Sequence, residues 1–438
     1  MKFTDLDLIE PIQNAIKKTG YETPTAIQEQ CIPHILKGHD ILGCAQTGTG
    51  KTAAFALPII NNIVISKDRT QPKQVGTLIL TPTRELALQI HENFKTYSQF
   101  VQIKTAVVYG GVGIGPQIKA VSEGVHVLIA TPGRLLDLIS QSKLSIKQVN
   151  TFVLDEADRM LDMGFIHDIK KILVMIPKMR QTLFFSATMP PEIEKLSQSM
   201  LMKPIRVEVN PVSSTAEKVS QVVMYVEQSK KKDLLRHVLK DPKFNRVIVF
   251  TRTKHGANRV SELLTKNQIV SEAIHGNKSQ NARQRALENF KNGKTQVLIA
   301  TDIAARGIDV DGISHVINFE VPNVSESYVH RIGRTARAGA AGIAISFCDL
   351  EEKSYIRDIE KLIGQPIPVD RNHPYHSDMV ESSQIMSSGK AKAQFERKQG
   401  GGNRRFSSRS GGASGGGDSK RTNSRSKNKK YFTGFKKD

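Results

Sequence analysis

The sequence predicts an α/β protein of two tandem domains with mainly parallel sheets, followed by a disordered basic C-terminal tail. Three observations carry that expectation. Short apolar runs such as Phe152-Val153-Leu154 and Val127-Leu128-Ile129-Ala130 alternate with helical segments and end in polar loops, the pattern of strands buried on both faces. Two runs return 170 residues on: Val127-Leu128-Ile129-Ala130-Thr131 as Val297-Leu298-Ile299-Ala300-Thr301, and Leu78-Ile79-Leu80-Thr81 as Ile248-Val249-Phe250-Thr251. Two matches at one offset argue for one domain plan used twice. From about Asp370 the periodic pattern stops, and from Gly400 the chain is Gly, Ser, Asn, Lys and Arg with Phe406, Tyr431, Phe432 and Phe435 interspersed; such a segment cannot bury enough apolar surface to fold. The expected boundaries are 1–209 for the first domain, 210–216 for a linker, 217–369 for the second domain and 370–438 for the tail.

Composition narrows the class. A hydrophobic content of 39% over 438 residues is ordinary for a chain with real cores, whereas a formal charge of +21 calls for a polyanionic partner. Much of the charge is local, with 15 Lys/Arg against 4 Asp/Glu from Glu381 onward. Cys31, Cys44 and Cys348 show neither pairing nor metal spacing, as expected of reduced thiols in the cytoplasm. The amino-terminal residues have no apolar signal core and no run approaches membrane-spanning length, so a soluble cytoplasmic protein without membrane contact is expected.

The segment Phe3 to Gly38 reads as helical, with Leu6, Ile9, Ile12 and Ile16 spaced for one buried face and a break over Gly20 to Gln28. A carboxamide such as Gln28 can pair with the donor and acceptor on an adenine edge, although a plain helix residue is the simpler reading. The strand Asp40 to Cys44 leads into Ala45-Gln46-Thr47-Gly48-Thr49-Gly50-Lys51-Thr52 and a helix. This departs from the strict phosphate-loop pattern only at Ala45. Glycines let backbone N–H groups turn inward, Lys51 reaches the β and γ phosphates, and Thr52 offers a hydroxyl to Mg²⁺. A Gly/Thr-rich turn is the alternative.

Three further strands end in small, hydroxylated or Arg-bearing loops: Thr81-Pro82-Thr83-Arg84-Glu85, Gly110-Gly111 and Thr131-Pro132-Gly133-Arg134. Such loops can grip a sugar-phosphate backbone without reading bases; each alone reads equally as a strand-to-helix turn. Phe152-Val153-Leu154 runs directly into Asp155-Glu156-Ala157-Asp158. Crowded carboxylates repel one another unless a cation lies among them, and Mg²⁺ with nucleotide phosphates suits oxygen ligands. On that reading Asp155 holds the metal and Glu156 activates the attacking water. A solvated acidic helix N-terminus is the rival, and the upstream phosphate loop counts against it. Ser186-Ala187-Thr188 follows the strand Leu183 to Phe185, with two hydroxyls that could tie neighbouring loops together.

The second copy carries arginines in place of a phosphate loop, in Gln280-Asn281-Ala282-Arg283, Asp302 to Asp309 and His330-Arg331-Ile332-Gly333-Arg334-Thr335-Ala336-Arg337. Arg334 and Arg337 would share one face of a helix. A solvated basic face is the plain reading. Alternatively, a phosphate loop and base in one half and paired arginines in the other complete one site; such an arginine is worth about 10³–10⁵ in rate, or about 4–7 kcal/mol. The basic tail with sparse aromatics suits sequence-tolerant contact with single-stranded nucleic acid, or serves solubility alone.

Together these stretches resemble the DEAD-box family of ATP-dependent RNA helicases from residue 3 to about residue 365, with the nearest likeness to the bacterial RhlE-like branch. The motifs stand in family order and at family spacing. The resemblance implies two RecA-like domains closing over ATP and RNA. It implies that Gln28, with Tyr21 against the ring, recognises adenine, and that Phe3 is the family's upstream aromatic. Gln46, Thr47, Gly48, Thr49, Gly50, Lys51 and Thr52 would hold phosphates, and Thr52 with Asp155 the Mg²⁺. Glu156 would be the base, Asp309 a ribose contact, and Arg334 and Arg337 the arginine fingers. Asp158, Ser186, Thr188 and His330 would couple hydrolysis to strand separation. Arg84, Gly111, Thr131, Arg134, Arg252, Gln280, Arg283 and Thr301 match positions that grip the RNA backbone. The function implied is RNA-stimulated ATP hydrolysis that opens short duplexes and remodels RNA or RNA–protein complexes, by a monomer acting on single-stranded and short duplex RNA beside ribosome-assembly or RNA-decay proteins. An ATP-gated RNA clamp and a DNA-translocating ATPase are the rivals.

Overall fold

Apolar runs that lack the alternation of a half-exposed strand become central strands here, because helices cover both faces of each sheet. This computed structural model describes residues 1–46, 48–209, 219–305, 310, 312–335 and 342–384. Thr47, Asp309, Arg337, the expected linker 210–216 and the chain after Gln384 lie outside the described residues.

In the first half β1 (Ile41–Ala45), β2 (Val75–Leu80), β3 (Thr105–Val108), β4 (Val125–Ala130), β5 (Thr151–Leu154), β6 (Gln181–Ser186) and β7 (Ile205–Val209) form one sheet in the order β3-β4-β2-β5-β6-β1-β7. In the second, β8 (Val219–Tyr225), β9 (Val247–Phe250), β10 (Ser271–Ile274), β11 (Val297–Ala300), β12 (His315–Asn318) and β13 (Gly342–Cys348) follow the order β10-β11-β9-β12-β13-β8. Every pairing in both ladders is parallel. The two orders coincide strand for strand, with β7 as the addition, so the repeat seen in sequence pairs β4 with β11 and β2 with β9. Local detail repeats too. The Thr81 and Thr251 N–H groups each donate to the last residue of the neighbouring strand, Ala130 and Ala300, at 3.0 Å. Thr83 and Thr253 then cap the helices Arg84–Tyr97 and Lys254–Lys266 through their hydroxyls.

Each sheet separates two apolar layers. In β2, Ile79 packs into one layer, while Leu78 and Leu80 pack into the other. The amino-terminal segment departs from the single helical face expected of it. Phe3–Asp5 is a 3₁₀ turn and the helix begins at Glu10, with Pro11 in its first turn, where proline is favoured. Leu6, Ile12 and Ile16 are buried nevertheless. Asn61 accepts the Ile9 N–H at 2.9 Å, tying the segment to the helix Lys51–Ser66.

The tail boundary expected at Asp370 is too early. Residues 368–384 form a strap along the free edge of β8: the Val223 N–H donates to Pro368, and Asp370 and Ser377 N–H groups donate to Val223 and Tyr225. Lys353 Nζ holds the far end through the carbonyls of Glu381 and Ser383 at 2.7 and 2.5 Å. Val380 is buried and Tyr375 packs against the core. These anchors are irregularly spaced and the order comes from backbone pairing, so no apolar periodicity announces it.

Candidate active site between the two halves

The carboxyl ends of β1, β5 and β6 bring together the phosphate loop, the acidic run and the hydroxyl loop. Gly50 sits at φ 93° before the helix Lys51–Ser66. A Cβ there would collide with the Gln28 carboxamide, so backbone angle and close approach both demand glycine. Gln28 is buried and caps its own helix: its Oε1 accepts the Thr25 N–H at 2.9 Å and its Nε2 donates to Gly50 O at 3.2 Å. The residue expected at adenine thus braces the loop as well. Tyr21 is 45% exposed and stacks at 6.4 Å on Phe3, which is buried and supports the tyrosine from behind. Within the loop, Thr49 Oγ1 donates to Gln46 O at 2.7 Å and Lys51 Nζ to Ala45 O at 2.5 Å. Gly48 also has positive φ, and half-buried Thr52 follows Lys51 in the first helical turn.

Asp155 extends the β5 pairing by one residue, its N–H donating to Leu80 O at 3.0 Å. Its side chain is buried, and Oδ1 makes no hydrogen bond among the described residues. Burial, and then the neighbouring Glu156, push its carboxyl up to about 7 against the opposing pull of Lys51. A buried carboxylate oxygen without a donor is the kind of ligand a hard divalent cation takes, and Lys51 nearby suits the phosphates such a cation would carry. The residues fit Mg²⁺. Glu156 adopts the left-handed conformation at φ 56°, ψ 51°, which a non-glycine residue holds only under constraint. Its Oε2 meets Arg159 Nη1 at 3.2 Å.

Asp158 joins the acidic run to the hydroxyl loop. Its Oδ2 accepts both the N–H and the hydroxyl of Thr188 at 2.9 Å, its own N–H donates to Ser186 Oγ at 3.2 Å, and Ser186 Oγ donates to Thr188 O at 2.7 Å. The three residues expected to couple the loops are therefore one hydrogen-bonded unit. His330 completes the set from the other half, where its Nδ1 lies 3.1 Å from Arg159 Nη2. Asp158, Thr188 and His330 also line a cleft of about 530 Å³.

The arginine-rich stretches separate by role. The helix Ser325–Ile332 stops at Gly333, so Arg334 lies beyond its end and not on that helix, while Arg337 lies outside the described residues. Arg334 is buried, with Nε donating to His330 O at 3.2 Å. Arg331 is structural: it grips Asp302 with Nε and Nη2 at 2.6 and 2.8 Å and donates to Asn318 and Glu320 through Nη1.

Among the positions expected to grip RNA, Arg84 packs on Gly111, where φ is +80° and a Cβ would strike the guanidinium. Arg134 donates to Val112 O at 3.0 Å, and the Thr131 N–H to Val108 O at 3.0 Å. Arg252 is partly exposed over the ring of Tyr355 and donates to Glu352 at 3.0 Å. Buried Thr301 follows β11 as Thr131 follows β4. Gln280 and Arg283, in the first turn of the helix Gln280–Lys291, are buried against the first half. Gln280 Nε2 donates to Glu85 Oε1 at 3.0 Å, Gln280 Oε1 accepts from Arg84 at 3.4 Å, and Arg283 pairs with Glu85 at 3.0 Å. In this arrangement they join the halves.

Two residues escape the sequence reading. Glu85 stands inside a motif that draws attention to its arginine, and nothing local marks it as a counter-ion for the other half. Arg159 has a signal, since it lies three residues after Glu156, at helical contact spacing.

Residues 25–196 match the family described as DEAD/DEAH box helicase, and residues 229–339 the helicase conserved C-terminal domain. The DEAD-box ATP-dependent RNA helicase CshA of Bacillus thuringiensis is 39% identical over 90% of this chain and 74% of its own length. Its namesake in Bacillus subtilis is 43% identical over 82% of this chain and 72% of its own length. Among solved structures, S. cerevisiae Dbp5 bound to RNA and ADP BeF3 aligns with a TM-score of 0.76 at 27% identity, covering 84% of this chain and 95% of that one.

Proposed function

The chain belongs to the DEAD/DEAH-box helicase family, and on that footing we propose that it is an ATP-dependent RNA helicase whose hydrolysis is stimulated by RNA and spent on opening short duplexes and remodelling RNA–protein complexes. The observation that supports this best is the continuous contact from Glu156 through Arg159 to His330, which makes the acidic run of one half answer to the other half.

Lys51 binds the β and γ phosphates once its contact with Ala45 gives way to them. Asp155 and Thr52 would hold Mg²⁺, which supplies charge neutralisation across the phosphates. Glu156 takes a proton from the attacking water. Arg334 and Arg337 bring positive charge to the γ-phosphate as it transfers, and Asp309 meets the ribose. Gln28 and Tyr21 recognise adenine, with Phe3 behind the ring. The unit of Asp158, Ser186 and Thr188, with His330 opposite, relays closure to the loops. Arg84, Gly111, Thr131, Arg134, Arg252, Gln280, Arg283 and Thr301 face the RNA backbone, and Gln280 and Arg283 also serve closure through Glu85. RNA is preferred to DNA through its 2′-OH.

The reading extends to a cytoplasmic monomer working beside ribosome-assembly or RNA-decay proteins; no helix among the described residues is long and apolar enough to cross a membrane. Placement in the RhlE-like branch is also part of the proposal, alongside relatives that bear the CshA name. Strand displacement and RNA dissociation measured together, with ATPase stimulation by RNA and by DNA, test it. Displacement no faster than spontaneous melting would make the protein an ATP-gated clamp, and equal stimulation by DNA would defeat the RNA assignment.

A further inference from the structure

Glu156 and His330 belong to different halves, yet one side chain touches both. Arg159 lies one turn beyond Glu156 on the short helix Ala157–Asp162, with its side chain only 2% exposed. Nη1 donates to Glu156 Oε2 at 3.2 Å, and Nη2 lies 3.1 Å from His330 Nδ1. A guanidinium carries donors only, so Nδ1 accepts and the neutral ring keeps its proton on Nε2. We propose that Arg159 is a positioning residue that sets the working orientation of Glu156, with His330 as the second anchor supplied only when the halves are together. The proposal rests on the reading of Glu156 as the base.

The geometry divides the aiming of that base between backbone and side chain. The left-handed conformation of Glu156 directs its Cβ, and the remaining torsions are set by whatever holds a carboxylate oxygen. Arg159 takes Oε2, which leaves Oε1 as the oxygen for water. A planar fork bound at one end pivots about that bond, whereas a fork bound at both ends has a fixed angle. In separated halves Arg159 would keep Glu156 and lose His330, so the base would be present but not aimed. Closure then does more than deliver arginines to the phosphate: it finishes the base as well. Were Arg159 merely filling buried space, methionine would serve.

The test uses the full chain with Arg159→Met, Arg159→Lys, His330→Ala and the Arg159→Met/His330→Ala double variant, and Glu156→Gln as control. ATP turnover at saturating RNA and KM for ATP are the readouts. Arg159→Met should lower kcat about tenfold or more at nearly unchanged KM, since orientation matters in the transition state and not in ATP binding. Arg159→Lys should fall between, because an ammonium reaches one partner and not both. The double variant should be no slower than Arg159→Met, because both substitutions cut one connection. Turnover by Arg159→Met within about twofold of wild type overturns the proposal, as do losses that multiply in the double variant. Should Arg159→Met fail to fold, wild-type turnover by Arg159→Lys overturns it equally. Near-wild-type turnover by Glu156→Gln would defeat the base reading beneath it; an inactive Glu156→Gln beside an unimpaired Arg159→Met defeats this proposal alone.

Discussion

The two sheets share one strand order, and they differ in what stands at the carboxyl ends of the strands. β1 opens into the phosphate loop, while β8 opens into Val226 and Glu227. β5 runs into Asp155 and Glu156, and its counterpart β12 runs into Phe319 and Glu320. There Glu320 Oε2 accepts the Arg252 N–H at 2.6 Å, so a carboxylate at the end of a corresponding strand braces a loop. The lesson is a separation of labour. Strand order decides where a group stands, side chain decides what it does, and two halves with complementary side chains make one site.

The strongest way to break that comparison is to remove a half. A fragment ending at Val209 retains its own sheet and both of its apolar layers, so it should fold. Without the arginines and His330, its RNA-stimulated turnover should fall by about 10³-fold or more. Adding the second half in trans should restore little, since the effective concentration given by the linker is lost. Turnover at the full-length rate by the fragment would show that one half suffices.

Next in size is Glu156→Gln, which keeps shape and hydrogen bonding but removes the proposed base. Turnover should drop about 10²–10⁴-fold. Mg-ATP and RNA should still bind, and RNA should leave more slowly with ATP present, because the two ligands are reciprocally coupled. Lys51→Ala should show no such trapping, since it fails at the nucleotide. RNA release from Glu156→Gln as fast as from wild type would separate hydrolysis from release.

Arg334→Lys sharpens the comparison from the other side. Loss of the planar fork should slow turnover by about tenfold or more with ATP affinity nearly intact; an equal loss of ATP affinity would make Arg334 a ground-state ligand. The smallest effect belongs to the tail. Truncation after Gln384 should leave turnover at saturating RNA unchanged while flattening the salt dependence of RNA binding. An unchanged slope would assign the basic residues another task.

Legibility follows the range of the forces involved. The central strands, the duplication and the phosphate loop are readable because burial on both faces and phosphate binding leave contiguous signatures, as in Val127 to Ala130 and Gly48 to Thr52. The second partner of a long-range contact is not. Glu85 and Arg283 stand in different halves of the chain, and only the fold brings them to 3.0 Å. Arg334 is marked by its motif, but Gly333 ends the preceding helix one residue before it, so its place just past a helix end is not written in its spacing. Residues 370–384 are illegible for a different reason: backbone pairing to β8 carries no side-chain pattern.

That strap has a colloidal consequence. In the first half β7 covers β1 through five paired residues and presents Arg206 and Glu208 outward, charges that discourage further strand addition. Among the described residues β8 has no such extra strand, and the strap occupies its hydrogen-bonding edge. A chain cut near residue 365 would keep every catalytic motif and expose that edge, with Val219, Val222 and Val223 along it offering a template for strand exchange between molecules. Self-association would then appear as a defect of the cut alone, and the sequence that can vary in length without that penalty begins only after Gln384.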